Sequence, residues 1–196
     1  MQEILRPSNQ VIDNYLKEFK NNERYFIAEQ ATENLIEKFP NNSSIEDIIL
    51  KISVLNDLYN TKIFGTFLVA QHILNLNIDP RIRDGDSTLV NEIAIGHSIS
   101  KPNGGGDRNF YSFATNYCSL HNRESFPIYD SFIEKTLLSF QKADEFSSFS
   151  KKELKDFPKF KNIMTDFKNF YGLKKYNFME INKFMWMYEK QNSPRK

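Results

Sequence analysis

Cysteine is nearly missing from this chain: Cys118 is the single one in 196 residues. One thiol cannot close an intramolecular disulfide, nor build a four-cysteine iron–sulfur site or a cysteine-rich zinc site. It suits a reducing cytoplasm, which is the expected location. The three histidines, His72, His97 and His121, are isolated and lack metal-ligand spacing, so no metal or other cofactor is expected. An excess of one charge is lacking too: 26 Lys and Arg face 25 Asp and Glu, a net +1. That argues against a broad nucleic-acid-binding coat but leaves room for a local basic patch. Long apolar runs are absent. The Ile63–Leu76 stretch falls short of the ~18 residues of a membrane span and contains Gln71, His72 and Asn75. Met1–Pro7 lacks the basic-then-apolar pattern of a signal peptide.

What is plentiful is aromatic: 18 Phe and 9 Tyr. They recur at helical spacing, and the chain reads as all-α with no convincing strand. Val11, Tyr15, Leu16 and Phe19 mark a first helix. Pro40–Ser44 ends one helix and caps the next, with Ser44 and Asp47 as a capping-box variant. Ile45, Ile48, Ile49, Ile52, Leu55 and Leu58 form an apolar stripe. Asn60-Thr61 interrupts it, and Ile63–Leu76 opens another helix. Asp79-Pro80 and Asp84–Ser87 read as turns, and Leu89–Ile99 as a short helix. Lys101–Asp107 holds three of the 7 glycines and is the strongest breaker. Asp107 is a candidate cap for the helix through Phe110 to about His121. Ile128–Phe140, Phe157–Phe170 and Phe178–Glu189 complete the helices.

The most informative segment runs from Tyr111 to Asp130. Phe126-Pro127-Ile128-Tyr129-Asp130 is a short apolar loop ending in one carboxylate, and Ser112 stands eighteen residues earlier. Ser112 and Asn116 are one helical turn apart and share a face. This segment resembles the core of the helix-hairpin-helix DNA glycosylases, especially the adenine-removing mismatch branch. There a hairpin leads into a helix with a small residue near its start, and the chain returns through a Pro-Ile/Val-X-Asp motif. The spacing from Ser112 and Ala114 to Asp130 matches without a gap.

The resemblance implies a two-lobed fold with an interlobe cleft. Residues 45–125 would form the middle lobe, while 1–44 and 126–196 would form the second within one globular, monomeric 1–196 unit. It implies double-stranded DNA as partner and hydrolysis of an N-glycosidic bond. Asp130 would be the catalytic carboxylate, stabilising an oxocarbenium-like sugar or orienting water. Ser112, Asn116, Tyr129 and Trp186 would line the pocket for an extruded base. Asn60 would fill the gap it leaves, with Lys62, Lys101, Gly104, Gly105, Gly106 and Arg108 meeting the DNA backbone. Lyase-competent members carry Lys where Ser112 stands. Ser forms no Schiff base, so strand cleavage is not expected. The pattern also departs from that family. Arg108 and Phe110 occupy the hairpin's Gly-X-Gly positions, Leu55 stands near the place of the adenine branch's Glu, and the iron–sulfur cluster is absent.

Each residue also has a plainer reading. Asp130 can simply cap the following helix, Ser112 and Asn116 can be a polar stripe, and Gly104–Gly106 a connector. Asn60 can be a helix-break turn and Trp186 core. A non-catalytic DNA-binding relative and a helical protein-interaction module therefore stand beside the glycosylase.

Overall fold

A computed structural model describes residues 5–101, 104 and 106–192. Among these residues the protein is all-α, with ten helices and one 3-10 turn. The extended backbone pairs only at one isolated antiparallel bridge, Ser100 with Asp107. The chain divides into two compact units, Ala28–Phe126 and Met1–Ile27 with Pro127–Lys196. The first break falls inside a helix rather than at the Pro40–Ser44 loop.

The second-named unit holds α1 (Asn9–Asn21), the start of α2 (Glu23–Lys38), α8 (Ser131–Asp144), α9 (Phe157–Phe170) and α10 (Phe178–Asn192). Helix α10 packs against α1 and α8. The core is aromatic: Phe140 meets Phe167 at 5.6 Å and Tyr188 at 5.2 Å between ring centroids, and Tyr15 meets Phe184 edge-on at 5.3 Å. Such edge and tilted contacts fill space while matching ring quadrupoles. Helix α9 starts where an aspartate and a proline dictate: Asp156 accepts from the Lys159 amide, and Pro158 follows in the first turn.

The Ala28–Phe126 unit holds the rest of α2, then α3 (Ile45–Tyr59), α4 (Thr66–Asn75), α5 (Ile78–Arg83), α6 (Leu89–Ala94) and α7 (Tyr111–His121). Ser44 caps α3, accepting from the Asp47 amide at 3.4 Å. Its hydroxyl turns to Glu46 Oε2 at 2.7 Å, so Glu46 rather than Asp47 answers it. Ile48, Ile52 and Leu55 bury the expected stripe, whereas Leu58 is 37% exposed. Helix α7 is central: nine of its eleven residues are buried. Cys118 lies there with no exposed surface, and burial pushes its thiol well above the ordinary range.

Several elements depart from the sequence reading. Asp79-Pro80 does not make a bare turn; it opens α5, where the missing proline N–H is one of the orphans of a first helical turn. Helix α6 stops at Ala94, not Ile99, because Gly96 takes φ +89° and a Cβ there would sit 3.0 Å from His72 Cε1. Helix α4 begins at Thr66, after Gly65 lets Ile99 approach to 2.6 Å from where a Cβ would be. Asp107 does not cap α7. Its carboxylate accepts from the Ser98 amide at 3.2 Å, while Asn109 accepts from Tyr111 at 2.9 Å.

One polar cluster ties the helices of this unit together. Lys51 has no exposed surface, and its ammonium donates to the Asn41 carbonyl at 2.6 Å and to Asn42 Oδ1 at 3.0 Å. Tyr117 donates to the same oxygen at 2.5 Å. Asn42 Nδ2 donates to Asp79 Oδ1 at 2.6 Å and faces His121 Nε2 at 3.4 Å, and its backbone N–H donates to Asp79 Oδ2 at 2.9 Å. An amide N–H2 only donates, so His121 Nε2 is the unprotonated acceptor. Burial, together with the Lys51 charge, holds His121 down at about 4. Burial likewise lowers Lys51 to about 8, against the pull of Asp79 and Asp47.

Asn42→Ala removes one hydrogen-bond partner from each of Lys51, Tyr117 and Asp79 at once, leaving Lys51 the Asn41 carbonyl and Asp79 the backbone amide. We predict a loss of about 3 kcal/mol in urea unfolding; a loss under 1 kcal/mol would show that the cluster adds little. His121 generates a pH prediction. Its folded value lies below its unfolded 6.5, so its contribution is complete above 6.5 and disappears as pH falls through about 4. Lys51 is protonated in both states in that window and does not alter it. Stability should drop by on the order of 3 kcal/mol across the window, and His121→Gln should flatten the drop.

Candidate functional site

The candidate residues divide between the two units. In the unit containing the C-terminal helices, Asp130 is the N-cap of α8. The loop before it is pinned by Asn182, whose Oδ1 accepts from the Ile128 amide at 2.9 Å and whose Nδ2 donates to the Ile128 carbonyl at 2.8 Å. After Ile128 so held, Asp130 enters the helix with φ −145° and its carboxylate over the first turn. Both amides it receives, from Phe132 and Ile133, go to the same oxygen, Oδ1, at 2.8 Å each. Oδ2 takes neither. Burial raises the carboxyl above its ordinary 3.8, outweighing those two hydrogen bonds.

Tyr129, next in the chain, is buried. Its ring meets Phe160 edge-on at 5.7 Å, and its hydroxyl donates to Glu134 Oε2 at 2.5 Å. Burial pushes Glu134 up, but hydrogen bonds from Lys151, at 2.7 Å, and Tyr129 outweigh it and hold the carboxylate down. Tyr129 is thus committed to a neighbouring acid. Trp186 is half-buried and meets Phe132, two residues after Asp130, at 6.0 Å between centroids. Tyr25 meets it edge-on at 5.1 Å, and the Lys190 ammonium lies over its ring at 4.5 Å and donates to the Tyr25 hydroxyl.

In the Ala28–Phe126 unit, Ser112 and Asn116 share the first turns of α7. The Ser112 carbonyl accepts from Thr115 Oγ1 at 2.9 Å and from Asn116 Nδ2 at 2.8 Å. Asn116 is 5% exposed, and its Oδ1 has no hydrogen-bond partner. Asn60 ends α3 in the left-handed region at φ 51°, and Lys62 follows at φ 60°. Both side chains are exposed.

Sequence reasoning missed what holds that turn. Asn56 donates to the Ile63 carbonyl at 2.6 Å and accepts from Thr61 Oγ1 at 2.6 Å and the Ile63 amide at 2.8 Å. The turn so fixed presents Phe64, 82% exposed, beside Phe67 and Leu68. A phenylalanine between a helix end and a glycine was the available signal.

The described residues of the glycine loop bond to one another and to its flanks. Lys101 receives at its carbonyl the Gly104 amide and donates its own amide to Gly106, both at 3.1 Å; Arg108 donates to Ile99 at 2.8 Å. Gly104 and Gly106 have φ +77° and +90°, and nothing lies within 4 Å of a Cβ at either. They serve the turn, and the Gly104 N–H is already used within it. Gly105 lies outside the described residues. Among the described residues no group of three His, Cys, Asp or Glu could hold a metal ion, and no helix is long and apolar enough to cross a membrane.

The two roles of Asp130 separate by substitution. Asn caps as well as Asp and removes a carboxylate whose raised value makes it a net cost. That carboxyl contributes most below its unfolded value near 3.8 and loses the contribution as pH rises through the folded one. Asp130→Asn should therefore keep or raise the melting temperature at pH 7, while Asp130→Ala should cost about 1 kcal/mol. Equal losses in both variants would refute this reading of the cap.

Comparison with known proteins places the chain. Residues 11–125 match the model of a family described as HI_0787_N, N-terminal domain, so Phe126–Asp130 follows the matched segment. An uncharacterized protein of Haemophilus influenzae is 41% identical over 152 residues, covering 77% of this chain and 70% of the relative. No solved structure matches. The chain belongs to the HI_0787_N family.

Proposed function

We propose that this protein is a monofunctional DNA base-excision glycosylase of the helix-hairpin-helix type, two-lobed like that family, with Asp130 as its catalytic carboxylate. One observation carries the reading. Asp130 spends a single oxygen, Oδ1, on both cap amides, leaving Oδ2 for other use in a place where burial already raises the carboxyl. A plain cap needs no more than this, but a reactive carboxylate needs both the fixed position and the spare oxygen. In the reaction, the bond from the sugar C1′ to the base nitrogen breaks and water oxygen bonds to C1′. Asp130 faces the developing positive charge or takes the water proton, and a proton ends on the departing base. Ser112 in place of a lysine leaves no Schiff-base route, so the strand stays intact. Trp186, half-buried next to Phe132, offers a stacking surface. At the Asn60 turn, the outward Phe64 is the side chain best suited to enter a base stack.

A non-catalytic DNA-binding relative is the second reading, and the Gly104 amide, closed onto Lys101, favours it. The test is base release from a panel of modified and mismatched duplexes, read as alkali-labile abasic sites. Wild type should release a base with no strand break before alkali, and Asp130→Asn should lower the rate by about 100-fold or more. Activity should fall on acidification, along a limb lying above pH 3.8 because the carboxyl is raised. No release from any duplex, with binding that weakens steeply in salt, would replace the first reading by the second. Neither release nor binding would point instead to a protein-interaction module.

A further inference from the structure

Between α6 and α7, two backbone amides are held by side chains rather than by carbonyls. Ser98, at φ +60°, donates its amide to Asp107 Oδ2 at 3.2 Å. The Ile99 amide donates to His97 Nδ1, also at 3.2 Å. These two holds align Ser98 and Ile99 so that the Ile99 carbonyl accepts from the Arg108 amide at 2.8 Å. The bond from Ile99 also fixes the state of the ring. An amide N–H only donates, so Nδ1 is the bare nitrogen and the neutral ring carries its proton on Nε2. That second nitrogen is buried without a hydrogen-bond partner.

His97 is 2% exposed. Phe110 lies against its ring at 4.6 Å between centroids, and His72 of α4 stands edge-on at 6.3 Å. Among the described residues, the titratable groups facing it are His72 and Asp107, while α6 and the segment before α7 add the Ala94 and Arg108 carbonyls. Burial disfavours a second ring proton and holds His97 below its ordinary 6.5, with His72 adding to the effect. The two carbonyls and the Asp107 carboxylate pull the other way without reversing it.

We propose that His97 is an acid-operated latch: on protonation its ring leaves the Ile99 amide for the Asp107 carboxylate, and Ser98–Ile99 parts from Asp107–Arg108. An imidazolium has an N–H at both nitrogens, so Nδ1 then sets donor against the Ile99 donor. Asp107 is the acceptor of opposite charge beside it. Turning to Asp107 frees the Ile99 amide and draws the carboxylate off the Ser98 amide, so both holds go in one step. Because the closed form takes the proton less readily than the unfolded chain, closure is complete above 6.5 and is lost as pH falls through the lower folded value. The latch does not depend on base excision, and it stands or falls separately from Asp130.

The experiment is an amide and imidazole NMR titration of the full chain, carried from about pH 7.5 down toward the acid unfolding limb. The Ser98, Ile99 and Arg108 amides should shift in step with the His97 ring, below pH 6.5, and their protection from hydrogen exchange should fall about 10-fold or more. Amides in the middle of α3 should stay unchanged over the same step. His97→Asn places an oxygen acceptor that does not titrate near the position of Nδ1 and should abolish the step. Asp107→Asn keeps an acceptor for Ser98 but no charge to receive the ring. It should move the step to lower pH and leave the Ser98 amide protected, and it serves where His97→Asn folds poorly. Ser98, Ile99 and Arg108 amides that keep their protection while the ring titrates overturn the latch. So does a ring that takes no proton before the chain unfolds, or a step that persists in His97→Asn, which would belong to His72.

Discussion

An ammonium with no exposed surface has to be met by acceptors, and in the Ala28–Phe126 unit Asn41 and Asn42 supply them to Lys51. The arrangement works because the Asn42 amide is filled at both ends, by Lys51 and Tyr117 at the oxygen and by Asp79 and His121 at the nitrogen. The loop before α3, the first turn of α5 and two turns of α7 are thereby fixed to a single planar group. A half-filled network of this kind would be worse than an apolar core. With every position taken, it specifies where α7 sits against α3, and α7 is the helix that carries Ser112 and Asn116.

Local chemistry was legible in the chain, and long-range chemistry was not. Helix α9 begins and ends at Phe157 and Phe170 as its pattern indicates, because Asp156, Pro158 and the aromatic period all act within a few residues. Ser44 and Asn60 bound α3 for the same reason. Asp79-Pro80 misled because proline was read as a breaker where its lost N–H was not needed. Leu89–Ile99 misled because the apolar pattern continued past the glycine that turns the backbone. Lys51 lies in the apolar stripe, between Ile48 and Ile52, and that placement was a visible hint of a buried charge. Its partner Asn42 was not visible, since Asp79, Tyr117 and His121 lie 37, 75 and 79 residues away.

The candidate site shows the same division. Asp130 was legible as a cap, since an acid after a proline-containing loop is a local motif. That both amides converge on one oxygen is a matter of backbone geometry, which residue spacing does not encode. Asn56, by contrast, looks like one polar residue on a helix back. Only the fold reveals that it orders the Thr61–Ile63 turn and so holds Phe64 outward. Tyr129 is a base-pocket residue by the resemblance, and its hydroxyl donates to Glu134.

Asn182 grips Ile128 the way a neighbouring strand would, taking its N–H and giving to its carbonyl. A protein almost without extended pairing thus borrows one rung of a ladder from a side chain. The borrowed rung has a chemical lifetime that a backbone rung lacks. Hydrolysis of that amide to a carboxylate would keep the bond from the Ile128 N–H but set an acceptor against its carbonyl in a buried place, and Asp130 would lose part of the support that aims it. An ageing molecule could keep every helix and still lose the alignment of its one candidate carboxylate.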